Sequence, residues 1–247
     1  MGVFKERGII IKQNDYGEGH RMLSIFTASR GIIKAVSYGA KRQKSKSAAA
    51  SQFLCCGEFE LYESNRDAAS INSINAAESF SPVSEDIEKL ALCTYFADIT
   101  YAMLGEGNPD ERLLKTFLNV VYALAYRDEP LDKVKAVYEL RLMTLEGYMP
   151  NIGACGCGSR DICAFDFDKG STVCAKCRGK NSAVLSPGVY RAMAYITRAE
   201  DKRILSFTGS AALFKELGAA SERYLLTHTE RSFKSLDYYK LMRQMQP

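Results

Sequence analysis

The sequence predicts an α+β chain. A five-stranded OB-type barrel spans residues 1–80, and an all-helical domain over 81–247 carries a cysteine insert at about 150–181. Three observations support this. The first 75 or so residues hold five short apolar-alternating segments broken by glycine turns. Beyond Pro82, apolar residues recur at helical spacing. Finally, five of the eight cysteines fall between Cys155 and Cys177.

In chain order, Phe4–Lys12 reads as a strand and Gln13–Gly19 as a polar turn. Arg21–Thr27 follows, then a tight turn at Ser29-Arg30-Gly31 into Ile32–Tyr38. A basic loop occupies Gly39–Ser47, Gln52–Ser64 alternates again, and Ala69–Ala76 is a weaker fifth strand. Five short strands suit a small closed barrel, because a sandwich usually needs about seven. Glu58, Glu60 and Glu63 fall on the solvent side of the fourth strand. The boundary lies near Phe80–Ser84, where Ser84 reads as an N-cap ahead of Glu85, Asp86 and Glu88. Ile87 to Met103 continues that helix. Leu113–Ala125 and Leu131–Tyr148 are the next two, and Asp110 or its neighbour caps the first of them. Ser186-Pro187 opens a helix to about Ala199, Ser210–Leu226 is the last long one, and Ser235–Met242 is a short terminal one.

Within the insert, Cys174-x-x-Cys177 closes a run that opens at Cys155-x-Cys157 and passes Cys163. Phe165 and Phe167 alternate with Asp166 and Asp168, so the run reads as a hairpin with thiols at its base. Two close thiol pairs around a hairpin are how a chain builds a tetrahedral structural Zn²⁺ site, here one ion per chain. Cys174 and Cys177 form one pair, and the other comes from Cys155, Cys157 and Cys163. Cys155 with Cys157 is favoured for its closeness to Pro150, while Cys163 beside Phe165 also reads as a buried thiol. Disulfides and a redox pair at Cys174–Cys177 are the alternatives. Neither a signal peptide nor a thioredoxin-like strand-then-helix setting supports them. Cys55, Cys56 and Cys93 sit in apolar segments and read as buried free thiols.

Charge is unevenly spread. Residues 1–47 carry +7, 48–90 carry −6, 91–197 balance, and 198–247 carry +3. The basic loop Lys41, Arg42, Lys44 and Lys46 joins Arg7, Lys12, Arg21, Arg30 and Lys34 in the same predicted barrel. Together they read as a shallow groove for phosphate backbones, with Tyr16, Phe26 or Tyr38 available for stacking. A solvated loop and core aromatics are the plainer alternatives. No phosphate-cradling loop, dinucleotide fingerprint, nucleophile elbow or His-based zinc frame is present, so a non-enzyme is predicted, with a zinc-stabilised RNA-binding or regulatory module and a nucleic-acid-processing enzyme of no recognisable motif as the alternatives. Nearly half the residues are apolar, and no long apolar run breaks the pattern. A folded cytoplasmic protein is the expectation.

DYGEGHRMLSIFTASRGIIKAVSYGAKRQKSK, then ELRLMTLEGYMPNIGAC and GSTVCAKC, resemble the RecO family of bacterial recombination and repair proteins over essentially the whole chain. One departure stands out. The family's first cysteine pair is commonly C-x-x-C-G, and here Cys157-Gly158 keeps its end while Ala154 stands where its first cysteine would be. The resemblance implies an OB domain and a helical domain with a zinc insert. It implies binding of single- and double-stranded DNA, annealing of complementary strands, and action with RecR to place RecA on strands coated by single-strand-binding protein. Arg7, Lys12, Arg21, Lys34, Lys41, Arg42, Lys44 and Lys46 would be DNA contacts, at the nucleoid. The helical domain would receive the acidic, apolar tail of the single-strand-binding protein. Family likeness and local charge put that contact at Arg223, Tyr224, Arg231 and Phe233.

Overall fold

A computed structural model describes residues 2–41, 46–63 and 68–245. Packing groups the chain into two compact units, residues 1–114 with 235–247, and residues 115–234.

In the first unit, β1 (Gly2–Tyr16), β2 (His20–Thr27) and β3 (Gly31–Ser37) precede a short helix, α1 (Lys46–Ala50). They are followed by β4 (Cys56–Glu63) and β5 (Ala69–Glu78). The strands close into a barrel in the order β1-β2-β3-β5-β4. Every pairing is antiparallel except β3 with β5, a short parallel contact of Ala35 with Ala69 and Val36 with Ser70. This is the OB-type barrel that the alternation predicted.

Closure depends on β1, which pairs with β4 through its first half and with β2 through its second. Gly8 lies where the two ladders overlap, facing both Thr27 and Gly57. A Cβ on Gly8 would sit 2.5 Å from the Phe26 carbonyl oxygen, and one on Gly57 would sit 2.3 Å from that of Asn75. Both positions therefore need glycine for the strands to approach. A register shift between Ile10 and Lys12 then re-aims the strand. The interior is filled by Ile10, Leu23, Ile25, Ala35, Cys55, Phe59 and Leu61, with Phe4, Ile33, Ile71 and Ile74 packed against them.

Two local expectations change. β1 does not end at Lys12. Gln13, Asn14 and Asp15 stay in the ladder opposite Leu23, Met22 and Arg21, leaving only Gly17–Gly19 as the turn. Backbone pairing does not require apolar side chains at a solvent-facing strand end. At the barrel's exit, Ser81–Ser84 forms a single helical turn, α2. Asp86, not Ser84, caps α3 (Ile87–Leu104), its Oδ1 accepting from the backbone N–H of Glu88 at 3.0 Å and Lys89 at 3.1 Å. Pro82 supports the early turn, with Phe80 before it in the left-handed region at φ 49°. α3 packs against β1 and β3. The loop after it runs along β3, where Gly107 N–H donates to the Ile32 carbonyl at 3.2 Å.

The second unit is built from α4 (Glu111–Tyr126) from Lys115 onward, α5 (Leu131–Leu145), α6 (Pro187–Arg198) and α7 (Ala211–Thr229), with the cysteine insert between α5 and α6. Asp110 Oδ1 caps α4 through Leu113 N–H at 2.8 Å, and Ser210 Oγ caps α7 through Leu213 N–H at 3.2 Å. α5 is the central helix, with every residue from Lys133 to Met143 buried. Its charges are therefore matched inside. Lys135 Nζ lies 2.8 Å from Glu139 Oε1 and 3.0 Å from Glu222 Oε2, and Ser221 Oγ donates to Glu139 Oε2 at 2.5 Å. Arg141 pairs with Asp201 and donates to the Ala199 carbonyl at 3.2 Å. The last helix, α8 (Lys234–Met245), is grouped with the first unit from Ser235 onward.

Candidate metal centre and nucleic-acid interface

The insert is a three-stranded sheet of β6 (Ala164–Asp166), β7 (Ser171–Val173) and β8 (Ser182–Ala183), in the order β7-β6-β8. Asn151 ties it to the end of α5, donating to the Gly170 carbonyl at 2.8 Å and accepting from Thr172 N–H at 3.0 Å. Two backbone turns present the thiols. Gly158 N–H closes the first onto the Cys155 carbonyl at 2.8 Å, and Cys177 N–H closes the second onto the Cys174 carbonyl at 3.0 Å. Gly158 is in the left-handed region at φ 87°, which explains why glycine follows Cys157.

The Sγ atoms of Cys155, Cys157, Cys174 and Cys177 lie within 4.8 Å of one another, and those of Cys157 and Cys174 are 3.7 Å apart. Four thiols converging in this way could hold a metal ion. Cys163 stands outside the set. Its backbone N–H is bound to the Val173 carbonyl at 2.9 Å, and its side chain packs as an apolar neighbour of Ala164 and Val173. The C-x-C spacing is thus compatible with a metal knuckle because the turn closes through Gly158.

The thiol chemistry fits a cation. Backbone N–H groups of Cys157 and Cys174 pull the Cys155 thiol down to about 6, and that of Cys177 lowers Cys174. The neighbouring sulfurs, Cys155 first, push Cys177 up to about 12. The turns therefore favour thiolates while their mutual repulsion opposes the last ionisation, and a dication would remove that repulsion. Elsewhere burial raises Cys55 to about 11 and raises Cys56 and Cys93 as well, as expected of inert core thiols.

Asp166 holds the insert together. Its carboxylate accepts from the N–H of Lys169 and of Gly179, both at 3.1 Å, and from Ser182 Oγ at 3.0 Å. Burial opposes its charge, but these donors and the Lys169 ammonium outweigh burial and leave its pKa lowered.

In the barrel, strand alternation and register define an outward face of β1–β2–β3. One row reads Lys12, Ser24, Lys34 and the next Asn14, Met22, Val36, with Ser24 and Val36 buried, and beyond them Tyr16 pairs with His20. Tyr16 and Tyr38 are exposed, and the His20 ring meets Tyr38 edge-on at 5.0 Å. Phe26 is fully buried. Lys41 N–H donates to the Gly19 carbonyl at 3.1 Å, so the start of the basic loop sits at this aromatic end.

The predicted cations are spread over several surfaces. Lys12 stands over the Tyr101 ring at 5.3 Å, and Lys34 pairs with Glu106 at 2.6 Å. That hydrogen bond raises the pKa of Lys34 and lowers that of Glu106. Lys41 pairs with Asp15 at 2.5 Å. Arg7 is exposed opposite Glu58, in a different part of the barrel. Arg30 stacks on Phe4 at 4.0 Å and pairs with Glu6 at 3.4 Å and Glu63 at 3.7 Å. Arg21 turns inward and donates to the Ala48 carbonyl and to Ser51 Oγ, both at 3.2 Å, which anchors α1. Arg42 and Lys44 lie outside the described residues, as does the side chain of Lys46.

The proposed partner residues divide. Arg223 and Arg231 are exposed, but Tyr224 and Phe233 are buried and present no surface to a partner. Tyr224 donates its hydroxyl to the Tyr148 carbonyl at 2.8 Å and packs on Phe165, because helical spacing turns it toward the insert. Arg223 stacks over Phe167 at 4.3 Å and donates through Nε to Asn181 Oδ1 at 3.1 Å.

Residues 1–81 match the family model described as Recombination protein O N terminal, and residues 84–237 match Recombination protein O C terminal. The chain belongs to the RecO family. Its RecO relatives include proteins named DNA repair protein RecO from Acetivibrio thermocellus, 34% identical over 98% of each chain, and from Symbiobacterium thermophilum, 26% identical over 98% of this chain and 99% of that one. A third, from Thermoanaerobacter sp., is 27% identical over 99% of this chain and all of its own length. Among the described residues, no helix is long and apolar enough to cross a membrane.

Proposed function

We propose that this chain is a non-catalytic mediator of DNA repair and recombination. It grips the backbones of single- and double-stranded DNA without reading sequence and anneals complementary strands. With RecR, it helps RecA onto strands coated by single-strand-binding protein. The observation that carries this reading is the match of both parts of the chain to Recombination protein O models, in a chain whose N-terminal part is a closed OB-type barrel. Support also comes from the outward face, where Tyr16, His20 and Tyr38 form an edge beside Lys41 and the basic loop. Flat rings next to cations suit single strands, since every base has a π-face and every nucleotide a phosphate. Arg42, Lys44 and Lys46, which follow Lys41 in the sequence, add positive charge to the loop. Lys12 and Lys34 lie further along the same face, and Arg7, Arg21 and Arg30 contribute to the field rather than to direct contact.

Cys155, Cys157, Cys174 and Cys177 would hold one Zn²⁺. A closed four-thiolate set leaves no position for a reacting water, so the ion's contribution is to folding. It would brace the insert against α5 and α7. The acidic tail of the single-strand-binding protein docks on the helical unit, steered by exposed cations such as Arg223 and Arg231. The setting is the cytoplasm, at the nucleoid.

The test is salt-dependent binding. Reversing Lys41, Arg42, Lys44 and Lys46 to Glu should weaken binding of unrelated single strands equally and lower the salt slope by roughly 0.7 per lost phosphate contact. An unchanged affinity and slope would remove the basic loop from the interface.

A further inference from the structure

The solvent face of α4 carries a strip that the barrel-based reading does not use. Lys115, Leu118, Asn119, Tyr122 and Tyr126 recur at helical spacing on it, while Phe117, Val120, Val121 and Leu124 are buried on the other side. Tyr122 is 48% exposed and Tyr126 45% exposed, two large rings one turn apart. Their centroids are 5.1 Å apart with planes tilted by 56°, and the Arg127 guanidinium stands 5.6 Å from the Tyr122 centroid. At its other end the strip opens on a cleft of about 530 Å³ lined by Lys115, Leu118, Asn119, Glu200, Asp201 and Lys202. Asn119 Nδ2 donates to the Asp201 carbonyl at 3.0 Å, which fixes the floor, and the Asp201 carboxylate is matched by Arg141. Lys115 and Lys202 are exposed on the rim, as is Glu200.

We propose that this strip is a second single-strand site, with Tyr122 and Tyr126 stacking bases while Arg127, Lys115 and Lys202 meet phosphates. The inference rests on the DNA-binding reading and extends it to the helical unit. A single-stranded nucleic acid is favoured over a peptide by shape. An apolar peptide anchor needs a pocket to fill, whereas the two rings stand on a convex helix and offer flat faces. The helix from Lys115 to Tyr126 spans about 16 Å, the length of about five stacked nucleotides at 3.4 Å each. An annealing protein gains from such a strip, because it must hold two strands at once.

The chain contains no tryptophan, so Tyr126→Trp places a single indole reporter on the strip. The experiment titrates the full-length variant with an oligothymidylate and reads indole emission together with anisotropy of the labelled strand. The expected result is quenching that saturates with the anisotropy. In parallel, Tyr122→Ala with Tyr126→Ala should weaken single-strand binding by about tenfold or more. Its salt slope should stay unchanged, since no phosphate contact is lost. Binding by anisotropy with silent emission and full affinity in the double variant would overturn the second site and leave the barrel reading standing. No binding at all would overturn both. Emission that responds to an acidic, apolar peptide but not to the oligonucleotide would assign the strip to a protein partner and refute the proposal.

Discussion

Replacing Lys135 with Met tests whether the helical unit depends on charge matched inside its core. The ammonium is almost wholly buried, 2.8 Å from Glu139 and 3.0 Å from Glu222, and it also donates to the Gly218 carbonyl at 3.3 Å. Burial alone would lower its pKa, but the two carboxylates outweigh burial and raise it. The ion pair therefore contributes stability that is fully present below the ordinary Lys value and lost only as pH rises through the raised one. Met keeps most of the volume and removes the charge, taking the ammonium away from the fully buried Glu139, whose Oε2 still accepts from Ser221 Oγ. Breaking a buried pair from one side costs about 3–5 kcal/mol. At a urea dependence of about 2 kcal/mol per molar, the midpoint should fall by roughly 2 M. Removing both charges with Lys135→Met and Glu139→Leu should recover most of the loss, because the fully buried carboxylate goes with the ammonium and the Glu222 carboxylate keeps access to solvent. The assay is urea unfolding followed by circular dichroism. In the single variant Glu139, buried without the ammonium, should have a raised folded pKa, so the deficit should shrink as pH falls from 7 toward 5. A single variant within 1 kcal/mol of the parent, or a double variant worse than the single one, would refute the internal pairing.

Other consequences follow from the insert and the barrel. Cys174→Ser or Cys177→Ser should lose bound metal and destabilise the helical unit, while Cys163→Ser should keep a full complement by metal analysis; metal loss in Cys163→Ser instead would redraw the set. Asp166→Asn turns one acceptor oxygen into a donor facing N–H groups and should cost about 1–3 kcal/mol. The native carboxylate, with its pKa lowered, contributes stability that is present above the ordinary Asp value of about 3.9 and lost as pH falls through its folded value. Acid unfolding of the variant should therefore be less steep below about pH 4. Gly8→Ala forces a Cβ to 2.5 Å from a backbone carbonyl and should cost at least about 2 kcal/mol, read as a lower thermal midpoint. A neutral result there would mean that β1 closes the barrel differently.

The parts legible in the sequence were those written in local code. Alternation of Phe59 and Leu61 between glutamates, and the turn at Ser29-Arg30-Gly31, mark barrel strands because the side-chain period of two is local. Strand order, with β5 parallel to β3, is not local and emerges only on closure. α5 was legible as a helix but not as a buried one. Its Lys135, Glu139 and Arg141 look like a solvent face until the partners at Ser221, Glu222 and Asp201 arrive from more than 55 residues away. The same difficulty made Tyr224 and Phe233 resemble a cation–apolar docking surface, although both are core. The thiol pairs were visible as spacing, but the choice of Cys155 and Cys157 over Cys163 depends on a backbone bond to Val173. The α4 strip gave a weaker signal. Tyr122 and Tyr126 are one turn apart, and their exposure depends on which side of α4 faces the core.

Annealing without turnover is the activity proposed for this chain. Complementary oligonucleotides, naked and coated with single-strand-binding protein, should be mixed with the full-length protein in the absence of ATP and added divalent metal. Annealing of naked strands should accelerate, and coated strands should anneal only if the coating protein keeps its acidic tail. No acceleration of naked strands, or a requirement for nucleotide, would contradict the claim.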